Sequence, residues 1–179
     1  MRVFIIIIFT AFTTGALAQC PKNPAISEEL DEAYRSLKFA KFPRDAQVAT
    51  DVLWSLWTRA PDNRAQRLLN RGMMNLRLGD LAAAEGFLSV LIKYCPDYAE
   101  GYNQRAFARY LAGNFEGALP DLARALSIQP RHLGALSGKG LTHLALGQPE
   151  LAEIEFRKEM ALNPFTADRD LIPNLGTDL

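Results

Sequence analysis

LRLGDLAAAE, residues 76–85, returns with variations thirty-four residues on as YLAGNFEGAL (110–119), and thirty-four further as LALGQPELAE (144–153). A fixed interval of this size marks a chain built from one stacking unit. Three units lie end to end, 65–98, 99–132 and 133–166. Each shared column has a mechanical reading. Gly79, Gly113 and Gly147 end a first helix, because glycine reaches the left-handed conformation favoured just past a helix C-terminus. Asp80 and Asn114 follow as N-caps of a second helix, and Pro149 stands where a first-turn proline does no harm. Gly72, Ala106 and Gly140 are small, as are Ala84, Ala118 and Ala152, so facing backbones can approach. Leu88, Leu122 and Phe156 fill the space beside them. Pro96, Pro130 and Pro164 stop the second helix. Each unit therefore reads helix, tight turn, helix, stop. One such pair cannot bury its apolar face alone, and stacked neighbours complete the interior.

As a set, these columns resemble the tetratricopeptide repeat, whose pattern is aromatic, Gly, then Ala-x3-Phe, then Pro. The resemblance covers about 100 residues and implies an all-α solenoid of stacked helical hairpins. Departures from the family pattern are informative. A basic residue precedes the small one at Arg71, Arg105 and Lys139. Sixteen residues on stand Asp121 for Arg105 and Glu155 for Lys139, which predicts ion pairs between the two helices of one hairpin. Arg71 faces Phe87 instead. Asn75, Arg109 and His143 replace the family's tyrosine. Pro120 falls inside a second helix and is expected to bend it or disturb its first turns.

Upstream, residues 27–64 read as a degenerate fourth hairpin. Ser27 is a candidate cap, followed by Glu28 and Glu29 where acids suit a helix N-terminus. Val48, Val52, Leu53, Leu56 and Trp57 recur at helical spacing in a second helix. Trp54 and Trp57 read as core or cap residues rather than ligand contacts. The last segment, 167–179, carries Leu171, Ile172, Pro173 and Leu175. It either covers the final hairpin or reaches a partner. Glu159 stands where earlier units have Leu91 and Ala125, and reads as an outward face.

The N-terminus carries an export pattern. Arg2, the apolar run Val3–Phe12 and the small residues Ala16-Leu17-Ala18 make 1–18 a secretory signal peptide, too short for a comfortable bilayer span. The alternative is an uncleaved anchor. Leu17-Ala18-Gln19-Cys20 resembles a lipoprotein box, but Gln19 stands where that box needs Gly, Ala or Ser. Export across the inner membrane, into a bacterial periplasm, is the expected destination. Residues 19–26 then form a strap ahead of the first hairpin. In an oxidising compartment Cys20 and Cys95 are a candidate disulfide; two unpaired thiols are the alternative. Solenoid geometry places both on one edge of the stack.

Charge excludes a nucleic-acid partner. The chain has 20 basic and 20 acidic residues, with no basic stripe. No catalytic or phosphate-cradling motif occurs. The two histidines fall in different columns, His132 reading as a solvated turn residue and His143 as half-buried. Two distant cysteines do not make a zinc site. Neither an enzyme, a metal nor a cofactor is expected. An enzymatic site near Trp54 or Trp57 is a third and weaker alternative.

The family resemblance implies that the first helix of each unit lines a concave surface. On it should lie Leu69, Met73, Leu76 and Arg77; then Asn103, Phe107, Tyr110 and Leu111; then Ser137, Leu141, Leu144 and Ala145. The carboxylate clamp of this family uses Lys and Asn columns, here occupied by Leu69, Asn103 and Ser137 and by Met73, Phe107 and Leu141. An acidic C-terminal clamp is therefore not expected. Met73, Leu76, Phe107, Tyr110, Leu141 and Leu144 form instead an apolar stripe, half of which could equally be core. Arg77, Asn103 and Asn75 are candidates for orienting polar groups. The implied function is a non-enzymatic module binding a peptide or helical segment of another protein. The alternative is an envelope-tethered subunit of a secretion or outer-membrane assembly machine.

Overall fold

In the computed structural model, residues 20–22 and 26–172 are described. The expected signal peptide at 1–18, Gln19 and the tail beyond Ile172 lie outside them. Eight α-helices and one short 3-10 helix follow in order, with no strand among the described residues: α1 (Ser27–Lys38), α2 (Pro43–Trp57), α3 (Asn63–Leu78), α4 (Leu81–Tyr94), α5 (Ala99–Leu111), α6 (Phe115–Ile128), α7 (Leu133–Ala145), α8 (Pro149–Leu162) and η1 (Ala167–Leu171). The architecture is an α-solenoid of helical hairpins, as the repeat columns imply. From α3 to α8 each helix packs on the next.

The turns form as their residues dictate. Gly79, Gly113 and Gly147 take φ of 77, 74 and 69°, a region costly for any residue with a Cβ. Asp80 and Asn114 then cap α4 and α6, accepting from the N–H groups of Ala83 and Gly117. Ser27 does not cap α1. It opens the helix, and Ile26 occupies the cap position without a side-chain bond. Between the helices of a hairpin the small residue meets the large one closely. A Cβ added to Gly72 would lie 2.6 Å from Leu88 Cγ, and one added to Gly140 would lie 2.3 Å from Phe156 Cε1.

The two expected ion pairs are present. Arg105 grips Asp121 through two bonds of 2.7 and 2.8 Å, and Lys139 Nζ donates to Glu155 at 2.9 Å. Asp121 and Glu155 are buried. Arg109 joins Asp121 at 3.1 Å and also reaches Glu85, tying α4, α5 and α6 together. Arg71 finds the Phe87 ring at 5.5 Å, a cation–π contact in place of the missing acid. Helix α6 runs on through Pro120. Arg109 Nη1 donates to the Gly117 carbonyl at 2.9 Å, satisfying an acceptor in the turn that the proline weakens.

The first hairpin forms as a hairpin, but its place goes beyond the repeat pattern. Helix α2 does not pack lengthwise on α3, although the two are consecutive. The hairpin instead lies across the starting ends of α5 and α7. Its core of Leu30, Tyr34, Leu37, Leu53, Leu56 and Trp57 takes in Leu133 at the start of α7, with Leu162 from the end of α8 beside it. The Trp57 ring stacks on His132 at 4.1 Å. Tyr98 donates to the Trp57 carbonyl at 2.8 Å, and Tyr34 donates to that of Arg131. Ahead of this hairpin Cys20 is joined to Cys95, Cα to Cα 5.1 Å, across 75 residues of sequence. At the far end Ile172 is buried with Ala152 and Phe156, so 167–172 covers the last hairpin.

Glu159 corrects the sequence reading. It is buried rather than outward, and accepts from Thr166 Oγ1 at 2.8 Å. Burial, with the Asp168 carboxyl beside it, pushes its pKa up from 4.5 to about 8. A carboxyl buried beside another carboxyl keeps its proton.

Candidate functional site

Helices α3, α5 and α7 line the inner curve, and the docked hairpin adds a fourth wall. Between them is a cavity of about 310 Å³. Met73, Leu76 and Arg77 come from α3; Asn103, Gln104, Ala106, Phe107 and Tyr110 from α5; Gly134, Gly138, Leu141 and Thr142 from α7. Leu122 of α6 closes the floor and Trp54 of α2 closes one side. The lining is mainly apolar. Phe107 is half exposed at 50 %, and Tyr110 leans on Phe115, ring centroids 5.4 Å apart.

Seven of the nine groove residues expected from sequence border this cavity: Met73, Leu76, Arg77, Asn103, Phe107, Tyr110 and Leu141. Two do not. Leu69 is wholly buried with Leu88 and Leu91 in the α3–α4 interior, because its face of α3 turns to α4. Leu144 packs toward Phe156 and Ala152 instead. Trp54 was expected to be core or cap, yet it is 40 % exposed and walls the cavity; Trp57 is core. No repeat column could have identified Trp54, since α2 stands outside the stack. The one trace is Gly134, where the preceding unit has Glu100. A Cβ there would already lie 3.6 Å from the Trp54 ring, and a longer side chain would run into it.

The polar groups beneath the cavity are committed to one another. Glu100 is buried at 1 %. It accepts from Gln104 Nε2 at 2.5 Å and Asn103 Nδ2 at 3.2 Å, and pairs with His132 Nε2 at 2.8 Å. His132 Nδ1 accepts from the Ala135 N–H at 3.2 Å, capping α7. A bare Nδ1 leaves the proton on Nε2, which donates to Glu100. This overturns the reading of His132 as a solvated turn residue: it is wholly buried. His143 is likewise buried, its Nδ1 on Gln148 Oε1 at 2.8 Å. With its amide nitrogen held by Glu100, Asn103 is a wall more than a free polar contact. Asn75 turns away and donates to the Arg71 carbonyl at 2.8 Å. Arg77 is exposed at the rim and has no ion pair among the described residues, so it is the cation available to a ligand.

These groups make an apolar recess with one charge at its mouth. The described residues hold no cluster of three or more metal-ligating side chains, and no helix among them is long and apolar enough to cross a membrane.

No family model matches the chain. It is 28 % identical over 142 residues to a TPR repeat-containing protein of Rhizobium etli, covering 79 % of this chain and 69 % of that one. It is 31 % identical over 121 residues to tetratricopeptide repeat protein 36 of Bos taurus, covering 65 % and 64 %. The chain thus spans about two thirds of the length of these relatives. Among solved structures, the Arabidopsis OM64 TPR domain superposes with a TM-score of 0.60 at 21 % identity, over 64 % of this chain and 96 % of that one. The first TPR of Spaghetti, bound to an HSP90 peptide, superposes with a TM-score of 0.58 at 20 % identity, over 60 % and 90 %. The fold is that of the tetratricopeptide-repeat proteins.

Proposed function

We propose that this tetratricopeptide-repeat chain is a non-enzymatic protein–protein interaction module, and that it takes an apolar side chain of a partner segment into the cavity between α3, α5, α7 and Trp54. The observation that carries the reading is the recess itself. Its walls are Met73, Phe107, Tyr110 and Leu141, groups that gain by leaving water and lack the polar pairs of a reaction centre. A side chain the size of leucine or phenylalanine suits a space of 310 Å³, and the flexible Met73 thioether adapts to either. Arg77 at the rim favours an acidic group close to that anchor in the partner segment. The structure bound to an HSP90 peptide shares the fold at 20 % identity, and supports a peptide-like occupant in general terms. The Cys20–Cys95 pairing supports an exported chain in an oxidising compartment, which we take to be a bacterial periplasm.

The test is photo-crosslinking. A photoreactive residue replacing Phe107 should capture a protein in the native envelope, and Tyr110→Ser or Trp54→Ala should abolish the capture. A probe replacing exposed Ser127 on the outer side should not report the same protein. Capture that survives both substitutions, with helicity intact by circular dichroism, sinks the reading.

A further inference from the structure

The turn between α1 and α2 carries an apolar pair that the cavity does not use. Phe39 ends α1 and Phe42 precedes α2. The two residues are 73 % and 65 % exposed. Ala40, between them, packs into the hairpin core, so the turn is anchored from beneath while both rings point outward. Neither ring borders the concave cavity or the hollows beside the hairpin.

The charge around this tip is one-sided. Lys38, Lys41 and Arg44 surround it, and none makes an ion pair among the described residues; Lys38 Nζ stands 6.0 Å from the Phe39 ring centroid. Asp45 is the one acid between residues 38 and 48. Farther back, α1 is acidic on its exposed side at Glu28, Glu29, Asp31 and Glu32, with Glu32 held by Arg35 and Asp31 by Arg131. Charge therefore runs from acidic near the docked end of the hairpin to basic at its tip.

We infer that the α1–α2 turn contacts the surface of an anionic lipid bilayer, tip first, with Phe39 and Phe42 entering the headgroup boundary and Lys38, Lys41 and Arg44 facing lipid phosphates. Two rings on a convex turn offer far less than the ~800 Å² per partner of a stable protein interface, whereas a bilayer needs no complementary shape. Apolar side chains beside basic ones suit the bilayer boundary, and cations are drawn to anionic leaflets. The acidic flank of α1 opposes a flat approach and selects the tip. Phe42 and Trp54 are twelve residues apart along α2, about 18 Å, so this surface is separate from the cavity and independent of the function proposed for it.

The experiment uses the chain from Gln19 on, the form expected after export, so that the apolar run Val3–Phe12 does not itself bind vesicles. With Cys20 and Cys95 joined, a Phe39→Cys variant offers one free thiol for an environment-sensitive fluorophore; a label at Ser127→Cys serves as control. Vesicles of phosphatidylcholine with phosphatidylglycerol are compared with vesicles of phosphatidylcholine alone. The label at 39 should brighten and shift to the blue on the anionic vesicles, less so as salt rises, and the label at 127 should not. In co-sedimentation, F39S/F42S should weaken binding at least about tenfold relative to the unlabelled parent chain, as the loss of two buried rings requires. K38E/K41E should abolish the preference for anionic lipid. A label at 39 that stays water-like on both vesicles overturns the inference, as does unchanged binding of F39S/F42S. Blue-shifted emission that needs a second copy or another protein, with no response to vesicles, overturns it in favour of a protein partner.

Discussion

The three repeats and the N-terminal hairpin are both pairs of helices, yet they are held by different means. In α3–α8 the same contact is written three times. A small residue on the first helix receives a large one from the second, with an ion pair beside two of these contacts and a cation–π pair beside the third. The hairpin α1–α2 has no repeated partner. It is fixed by single contacts at long sequence separation: Trp57 on His132, Tyr98 on the Trp57 carbonyl, Tyr34 on Arg131 and the Cys20–Cys95 bridge ahead of it. A stack propagates its own order from neighbour to neighbour. A hairpin laid across the ends of that stack depends on a few specific groups. This difference also shapes the candidate site, since three walls of the cavity come from the stack and one, Trp54, from the hairpin.

The comparison can be broken first at the stack. Phe156 is wholly buried against Gly140, so Phe156→Ala should cost about 4 kcal/mol and lower the urea midpoint of the whole chain, read by circular dichroism. A loss below about 1 kcal/mol would mean that small–large packing does not hold the repeats.

Next comes the bridge. Cys20→Ser opens a loop with a separation of 75 residues. The expected cost is about 4 kcal/mol, chiefly from freeing the unfolded chain. Mass spectrometry of the unreduced parent protein must show no free thiol; finding two would remove the bridge from the account.

His132→Ala separates the two regions more selectively. It removes the α7 cap, the stack on Trp57 and one donor to buried Glu100, for about 2 kcal/mol. Hydrogen exchange should quicken in residues 26–57 while α3 and α4 keep their protection. Equal quickening in both would show that the hairpin and the stack open as one unit.

The smallest effect lies on the repeat side and depends on pH. Glu159 in the folded chain has its pKa raised from 4.5 to about 8 by burial, so the folded state keeps a proton that the unfolded state releases. Its contribution is fully present below 4.5 and is lost as pH rises toward 8. Glu159→Gln should flatten that slope and add at least about 1 kcal/mol at pH 8, with slower exchange in 167–172. A parent protein whose stability does not fall over this interval contradicts the buried carboxyl.

Much of the stack was legible before folding because its contacts are local and repeated. Gly79, Gly113 and Gly147 share one column, and Arg105–Asp121 and Lys139–Glu155 share one spacing; each copy supports the others. The site was legible only in part. Periodicity marks an apolar face but does not say which of two faces is inward, which is why Leu69 and Leu144 were placed on the groove. His132 and Glu159 were read as exposed because polar residues usually are. The Glu100 and Thr166 partners that make their burial tolerable stand in other elements.

By itself, then, the sequence determined that this chain is helical, that its helices pair, and that Gly79, Gly113 and Gly147 make the turns inside three hairpins. Glycine at positive φ, caps, and small residues opposite large ones act within about one unit of chain. Only the tertiary structure decided that the first hairpin lies across the stack, that Trp54 completes the cavity, and that Glu100, Asn103, Gln104 and His132 are spent on one another. These contacts occur once and join residues as far apart as Tyr34 and Arg131, 97 positions in sequence, where no local preference or periodic column carries a signal.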